Sequence, residues 1–202
     1  MSVNPHQVTK DFEAALAEYT GAPYVVCVNS CTSALLLAVA WHLRNNQPRD
    51  ISIPRKTYVS VPMSIIHAGG RPIFRDEDWL GAYQLAPLPV WDSARWFTSD
   101  IYVEGNMQCL SFHASKTLGI EQGGAILLDD PEAASWLRRA RFDGRTEGVA
   151  PKHDKFDMVA WHCYMSPSTA AQGILRLHSL PRHNAPLPND DYPDLSQMEV
   201  FK

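Results

Sequence analysis

The chain has 202 residues, with 18 lysines and arginines against 22 aspartates and glutamates, so its formal charge at pH 7 is −4. Its 45% hydrophobic and 20% charged residues are typical of one large globular domain, or of one domain with an appendage, and exclude a disordered, collagen-like or coiled-coil chain. The mild acidity gives no electrostatic reason for tight, non-specific binding of duplex nucleic acid. The longest apolar run, residues 34–41, is far shorter than the roughly 20 residues that span a bilayer, so no membrane partner is expected.

The first half of the chain predicts strands that alternate with helices. Apolar residues from Phe12 to Tyr19 recur at the spacing of an amphipathic helix that ends near Gly21. After it, strands are predicted at residues 24–28, 51–53 and 71–74, and helices at residues 33–44 and 61–68.

The second half continues the alternation after a short connection at residues 77–89 with little helical signal. Strands are predicted at residues 88–91, 107–112 and 125–128. Asp130 is a predicted N-cap with Pro131 at the first helical position, and the helix is expected to run to Gly144. This order of elements predicts an α/β fold, a three-layer α/β/α sandwich around a mixed, mostly parallel sheet.

Four prolines lie between residue 181 and the last residue printed, too many for a helix. We therefore expect a domain over residues 1–180 followed by an extended or disordered tail over residues 181–202.

The cellular compartment is predicted from two weak signals. The first residues lack a basic region followed by an apolar one, which predicts no secretory signal. Cysteines 27, 31, 109 and 163 form no CxxC pair, which argues against a metal site or a redox motif. So few cysteines in a chain of this size indicate reduced thiols, and a cytoplasmic protein is expected.

Three features carry potential chemistry. In VNSCTSALLLAV a strand turns into a helix through Thr32 and Ser33, which is either a phosphate cradle or only a well-capped helix. Asp92 ends an apolar strand, where ligands bind in α/β sheets, and serves either to hold a proton on a heteroaromatic nitrogen or to cap the next segment. Lys116, in SFHASKTLGIEQGGAI, follows a strand through a tight turn, and Lys56 is its rival among six lysines. No GxxxxGK or GxGxxG motif accompanies them.

Together the three features match what pyridoxal phosphate requires. Its phosphate needs donors, its pyridine nitrogen a carboxylate, and its aldehyde an amine that forms a Schiff base. Tyr58, in PRKTYVS, is available to stack on the ring.

Seven blocks in order make the chain resemble the DegT-type sugar aminotransferases, pyridoxal-phosphate enzymes of fold type I, over residues 12–180. The blocks are VVCVNSCTSALLLAV, ISIPRKTYVS, AGGRPIFRD, VWDSAR, CLSFHASKTLGIEQGGAILLDD, LRRARFDGR and CYMSPSTAAQGILRL. The resemblance implies a shortened fold type I large domain and a homodimer with shared active sites. It implies that Lys116 is the Schiff-base lysine and Asp92 the acid on the pyridine nitrogen. It also implies cofactor contacts from Thr32, Ser33, Tyr58 and Ser111.

The chain departs from the family at three site positions. Cys31 stands where the family has glycine. Arg95 stands where the family has Gln or His near the cofactor's phenolic oxygen. Its permanent positive charge is expected either to favour the phenolate or to receive a substrate carboxylate. His162 falls near the family's phosphate-binding asparagine, which is donated across the dimer.

Two family segments are missing, one strand–helix unit between Asp76 and Asp92 and the small domain after residue 180. We therefore expect an open site and an amino or keto substrate that is bulky or attached to a polymer. Aminotransferase chemistry is the first interpretation. A decarboxylase acting on an amino-acid-modified nucleotide is the second, so that nucleic acid enters only as a substrate-bearing conjugate. A catalytically degenerate binding protein is the third.

Overall fold

The computed structural model describes residues 4–44, 49–189 and 191–202. The helices are α1 (Gln7–Thr20), α2 (Cys31–Leu43), α3 (Ser60–His67), α4 (Pro131–Ala140) and α5 (Pro167–His178). The strands are β1 (Tyr24–Val28), β2 (Asp50–Pro54), β3 (Arg71–Arg75), β4 (Tyr83–Gln84), β5 (Val90–Asp92), β6 (Met107–Ser111) and β7 (Gly124–Leu128). Short 3-10 turns lie at Pro151–His153, Leu195–Gln197 and Glu199–Phe201. Within these ranges no helix is long and apolar enough to cross a membrane.

The main sheet has the strand order β1-β7-β6-β5-β4, and β2 pairs with β3 beside it. The predicted mixed α/β sheet is confirmed, but three of the five described strand pairs are antiparallel, so the sheet is not mostly parallel. The antiparallel pairs arise from how consecutive strands are connected. Strand β7 returns antiparallel between β1 and β6, and β4 forms a short antiparallel pair with β5 instead of a helical crossover.

Alternation along β1 separates the two faces of the sheet. Val26 and Val28 pack in the apolar core shared with α2, α3 and α4. Val25 and Cys27 pack in the opposite core, shared with α1 and α5. Helices therefore cover both faces, and the predicted three-layer sandwich is confirmed.

Capping residues explain several of the helix boundaries. Helix α1 ends at Gly21, whose φ of 79° suits glycine. Helix α4 begins at the Asp130 cap as predicted but ends at Ala140, four residues before Gly144. Sequence analysis did not predict α5, although Ser166 caps it and Pro167 takes its first position.

After Leu180, residues 181–189 and 191–202 run along the body of the protein. The Tyr19 hydroxyl donates to the carbonyl of Pro181 at 2.6 Å. The backbone N–H of Leu187 donates to the carbonyl of Arg95 at 2.8 Å, and Leu195 is fully buried. Its prolines keep this segment extended, and the extended path brings it to the carboxyl end of β5.

A buried ion-pair network ties α1 to β1 and to the end of α4. Arg141 is 1% exposed and donates to Glu13, to the carbonyl of Cys27 at 2.5 Å and to Glu147 at 2.8 Å. The carboxylate of Glu13 also accepts the backbone N–H of Cys27 at 2.9 Å. Each charge in this network is compensated, which is the condition for burying it without a large desolvation cost.

Replacing Glu13→Gln is expected to lower the free energy of unfolding by about 3 kcal/mol, because the buried guanidinium of Arg141 loses one of its counter-charges. Glu18→Gln is the matched control, since Glu18 lies on the exposed face of the same helix, and it is expected to change stability by less than about 0.5 kcal/mol. Urea unfolding monitored by tryptophan fluorescence measures both. Equal losses in the two variants would contradict the role of the network.

Candidate active site

A cavity of about 430 Å³ lies where β5 and β6 end and where α2 and α3 begin. Six of the eight predicted site residues line it: Thr32, Tyr58, Asp92, Arg95, Ser111 and Lys116. The fold brings these residues together from four separate segments of the chain. This position, outside the carboxyl ends of neighbouring strands, is where α/β proteins usually bind ligands.

Asp92, the last residue of β5, is 5% exposed. One carboxylate oxygen accepts the N–H of Ala94 at 2.9 Å, and the other accepts the hydroxyl of Tyr83 at 2.9 Å. Burial raises the pKa of Asp92 above its ordinary value, and the two hydrogen bonds together with the charge of Lys116 oppose that rise. A cation placed in the cavity therefore stabilises the carboxylate.

Lys116 stands in the connection between β6 and β7. Its backbone N–H donates to the carbonyl of His113 at 2.8 Å, which closes the predicted tight turn. The imidazole of His113 lies 2.9 Å from the Ser115 hydroxyl, and both residues line the cavity. The ammonium of Lys116 lowers the pKa values of Asp92 and Cys31, so it lies within electrostatic reach of the acid.

Hydroxyl groups gather at the beginning of α2. The hydroxyls of Thr32 and Ser60 lie 2.8 Å apart, and Ser111 lines the same cavity from the end of β6. Gly124 makes this arrangement possible, because a Cβ at that position would lie 2.6 Å from the backbone nitrogen of Cys31. Sequence analysis missed Ser60, whose signal was its place at the first turn of α3.

Cys31, which stands where the family has glycine, is the first residue of α2 and lines the cavity. Its thiol points toward the sheet, 4.0 Å from a carboxylate oxygen of Asp92 and 3.7 Å from the carbonyl of Cys109. Burial and the charge of Asp92 raise the pKa of this thiol well above its ordinary value. Cys31 is therefore a thiol and not a nucleophilic thiolate at neutral pH.

Residues 187–189 and 191–195 cover one side of the cavity, although an open site was expected. Arg95 donates to the carbonyl of Pro188 and to the hydroxyl of Tyr192, the latter at 3.2 Å. The Tyr192 ring lies nearly parallel to that of Trp79, with centroids 6.2 Å apart, and both residues line the cavity. Sequence analysis missed Trp79 and Tyr192, because nothing local indicates that segments more than 100 residues apart meet here.

Two predicted residues do not line the cavity. Ser33 is engaged within the first turn of its own helix: its N–H donates to the hydroxyl of the N-cap residue Ser30 at 3.1 Å, and its hydroxyl donates to Asn29 at 2.7 Å. His162 is exposed and lies 2.8 Å from Asp143. His162 therefore does not line the cavity of its own chain.

The donor set of the cavity fits pyridoxal phosphate. A buried carboxylate, an amine and a group of hydroxyls beside a helix N-terminus are the three kinds of group that its pyridine nitrogen, aldehyde and phosphate require. The described ranges contain no group of three or more His, Cys, Asp or Glu residues that would hold a metal ion.

A three-layer α/β fold whose cavity holds a lysine, an acid and hydroxyls beside a helix N-terminus is what a pyridoxal-phosphate-dependent transferase requires. The family model of the DegT/DnrJ/EryC1/StrS aminotransferases matches residues 4–86 and 100–186. The chain belongs to this family. The stretch between the two matched ranges contains Asp92 and Arg95, so the assignment of these two residues depends on the geometry of the cavity.

The relatives include proteins of sugar metabolism. The spore coat polysaccharide biosynthesis protein SpsC of Bacillus subtilis is 26% identical over 200 aligned positions, which cover 78% of this chain and 48% of SpsC. The sugar aminotransferase CalS13 of Micromonospora echinospora superposes with a TM-score of 0.75 at 21% identity, over 85% of this chain and 60% of CalS13. NtdA of Bacillus subtilis, solved with the cofactor PMP, superposes with a TM-score of 0.68 at 20% identity. The superposition covers 86% of this chain and 48% of NtdA. The chain thus spans about half the length of SpsC.

Replacing Asp92→Asn is expected to stabilise the cofactor-free protein at neutral pH. Because burial raises the pKa of Asp92 in the folded state, the unfolded chain loses this proton first as the pH rises above about 3.9, and folding is progressively disfavoured. Asparagine carries no charge, so we expect its melting temperature at pH 7 to exceed that of the wild type by about 2–4 °C.

The gain is expected to shrink as the pH is lowered toward 4, where the wild-type carboxyl is protonated as well. Asp78→Asn is the control, because Asp78 is exposed, and it is expected to leave the melting temperature unchanged at both pH values. Thermal unfolding followed by circular dichroism measures this difference. A lower melting temperature for Asp92→Asn at pH 7 would show that burial does not destabilise this charge.

Proposed function

We propose that this protein is a pyridoxal-phosphate-dependent aminotransferase whose active site is the cavity around Lys116. The observation that carries the proposal is the convergence of Lys116, Asp92 and the hydroxyls of Thr32, Ser60 and Ser111 on one cavity. Membership of the aminotransferase family supports it. The decarboxylase and the degenerate binding protein are not favoured by the relatives named above.

Each side chain has a task that follows from its chemistry. The cofactor, when bound, supplies an electron sink next to the substrate carbon. Lys116 provides the amine that holds the cofactor's aldehyde covalently and then moves a proton at that carbon. Asp92 holds a proton on the pyridine nitrogen, and the buried surroundings strengthen this ion pair. The hydroxyls and the N-terminus of α2 bind the phosphate.

We propose an amino or keto sugar as the substrate. The relatives named for sugar and polysaccharide metabolism support this class. Tyr58 is 59% exposed at the cavity and is proposed to stack on the cofactor ring, while Trp79 and Tyr192 offer aromatic faces to a sugar. Arg95 holds Tyr192 and Pro188, so it positions this wall. A substrate attached to a larger carrier remains part of the proposal, with the carrier outside the cavity.

We propose a homodimer formed through α3. Val59, Met63 and Ile66 are 36%, 36% and 44% exposed and recur at i, i+4 and i+7, which makes one apolar stripe along this helix. The stripe borders the cavity, because Tyr58 and Ser60 line it. His162 lies outside its own cavity, as a residue that acts in the site of the partner subunit must.

Loading the protein with pyridoxal phosphate and reducing it with borohydride is expected to leave the cofactor on the peptide that contains Lys116. The Lys116→Ala variant is expected to carry no adduct, because the amine facing the cavity is gone, while Lys56→Ala, which removes an exposed lysine, keeps it. Mass spectrometry of the digested protein measures both. An adduct that survives in Lys116→Ala, or that is lost in Lys56→Ala, would overturn the assignment.

The reaction type is tested on the same loaded protein. Amino acids and amino sugars are added one at a time, and the visible absorbance of the cofactor is followed together with release of CO₂. Amino transfer is expected to change the absorbance without CO₂, and to transfer the amino group to an added keto sugar. Release of CO₂ from an amino acid would support the decarboxylase instead.

Replacing Ile66→Glu is expected to weaken the dimer at least about tenfold, because a charge would be buried in an apolar interface. Leu175→Glu is the control, since Leu175 is 72% exposed on α5, away from the stripe. Sedimentation equilibrium over a range of protein concentrations measures the dissociation constants. If both variants dimerise as the wild type does, α3 is not the interface.

A further inference from the structure

Tyr83 stands directly opposite Asp92 in the antiparallel pair of β4 and β5. Directly opposed residues of such a pair project to the same face of the sheet. The phenol of Tyr83 donates to Asp92 at 2.9 Å, and Tyr83 is 2% exposed. The pairing register therefore fixes a hydrogen-bond donor against the acid that faces the cavity.

Thr57 extends this contact into a relay. Its hydroxyl lies 2.5 Å from the hydroxyl of Tyr83, and Thr57 is 1% exposed. A phenol carries a single proton, and a carboxylate only accepts. With Tyr83 donating to Asp92, Thr57 must donate to Tyr83. The hydroxyl protons of Thr57 and Tyr83 then fill the two hydrogen bonds, and Asp92 accepts as a carboxylate. A protonated Asp92 would bring a third proton, which would need another acceptor.

Within this relay, Tyr83 is shielded from the cavity. Trp79 packs edge-on against the ring of Tyr83, with centroids 4.7 Å apart and an angle of 63° between the rings. Tyr83 is absent from the residues that line the cavity, whereas Thr57 and Asp92 are among them. Tyr83 therefore acts through Asp92 and not by touching a ligand.

We propose that Tyr83, supported by Thr57, is a positioning residue that keeps Asp92 ionised and oriented toward the pyridine nitrogen of the cofactor. This inference rests on the proposed function of the same cavity. The relay also joins a residue that the family model matches to one that it does not. Tyr83 lies within the matched residues 4–86, and Asp92 lies outside the matched ranges.

The test compares the binding of pyridoxal phosphate to the wild type and to Tyr83→Phe between pH 6 and pH 8. Loss of a hydrogen bond to a charged group is expected to raise the dissociation constant about 10- to 100-fold at pH 6. The ratio of the two constants is expected to fall toward pH 8, because loss of the donor raises the pKa of Asp92 and the acid ionises fully only at higher pH. A purely structural role would give a ratio that does not depend on pH.

Three further variants separate the relay from general damage. Thr57→Val is expected to weaken binding in the same direction but less, and Thr57→Ser, which keeps the hydroxyl, is expected to bind as the wild type does. Tyr102→Phe removes a phenol that lies outside the cavity and donates to the carbonyl of Asn106, and it is expected to have no effect. The Thr57 pair keeps the test decisive if Tyr83→Phe fails to fold.

Borohydride reduction distinguishes a failure of the proposed function from a failure of the positioning role of Tyr83. If the wild type forms no adduct at Lys116, the proposed function is wrong and the inference falls with it. If the wild type forms the adduct, and the Tyr83→Phe and Thr57→Val variants bind the cofactor as it does at every pH, only the positioning role is overturned.

Discussion

The site depends on one close approach between backbones, that of β7 and the first turn of α2. At Gly124 a side chain has no room, since its Cβ would lie 2.6 Å from Cys31 N and from the carbonyl carbon of Ser30. This contact sets the N-terminus of α2 against the ends of β1 and β6, so that the N–H groups of the helix face the cavity. Thr32 on this helix and Ser111 at the end of β6 line the same cavity as a result.

A second constraint is the burial of Asp92. A carboxylate that is 5% exposed is costly to the folded protein, and the chain offsets this cost with donors at both oxygens and with a cation nearby. The same burial makes the carboxylate a strong partner for a protonated ring nitrogen, because the surrounding dielectric is low. Stability and binding therefore oppose each other at this position.

Most elements of the fold were predictable from local pattern. Strand β1 has the predicted bounds, and the caps at Gly21 and Asp130 lie where helix signals placed them. The two-residue strand β4 was missed because its stability comes from the neighbour β5 and not from its own periodicity. The prediction that the sheet is mostly parallel was wrong for a related reason. The relative direction of two strands depends on which strands become neighbours, and spacing along the chain does not encode that.

The features of the site also fall into those that local sequence predicts and those that depend on tertiary contacts. The sequence by itself determined the residue types that pyridoxal phosphate requires, Lys116, Asp92 and the hydroxyls, because a strand end, a tight turn and a helix cap are local features. Only the tertiary structure decided that His162 lies outside the cavity, that Tyr83 supports Asp92 and that Tyr192 meets Trp79. These relations depend on contacts between residues distant in the chain, which arise only when the sheet assembles and residues 187–189 and 191–195 pack beside Arg95.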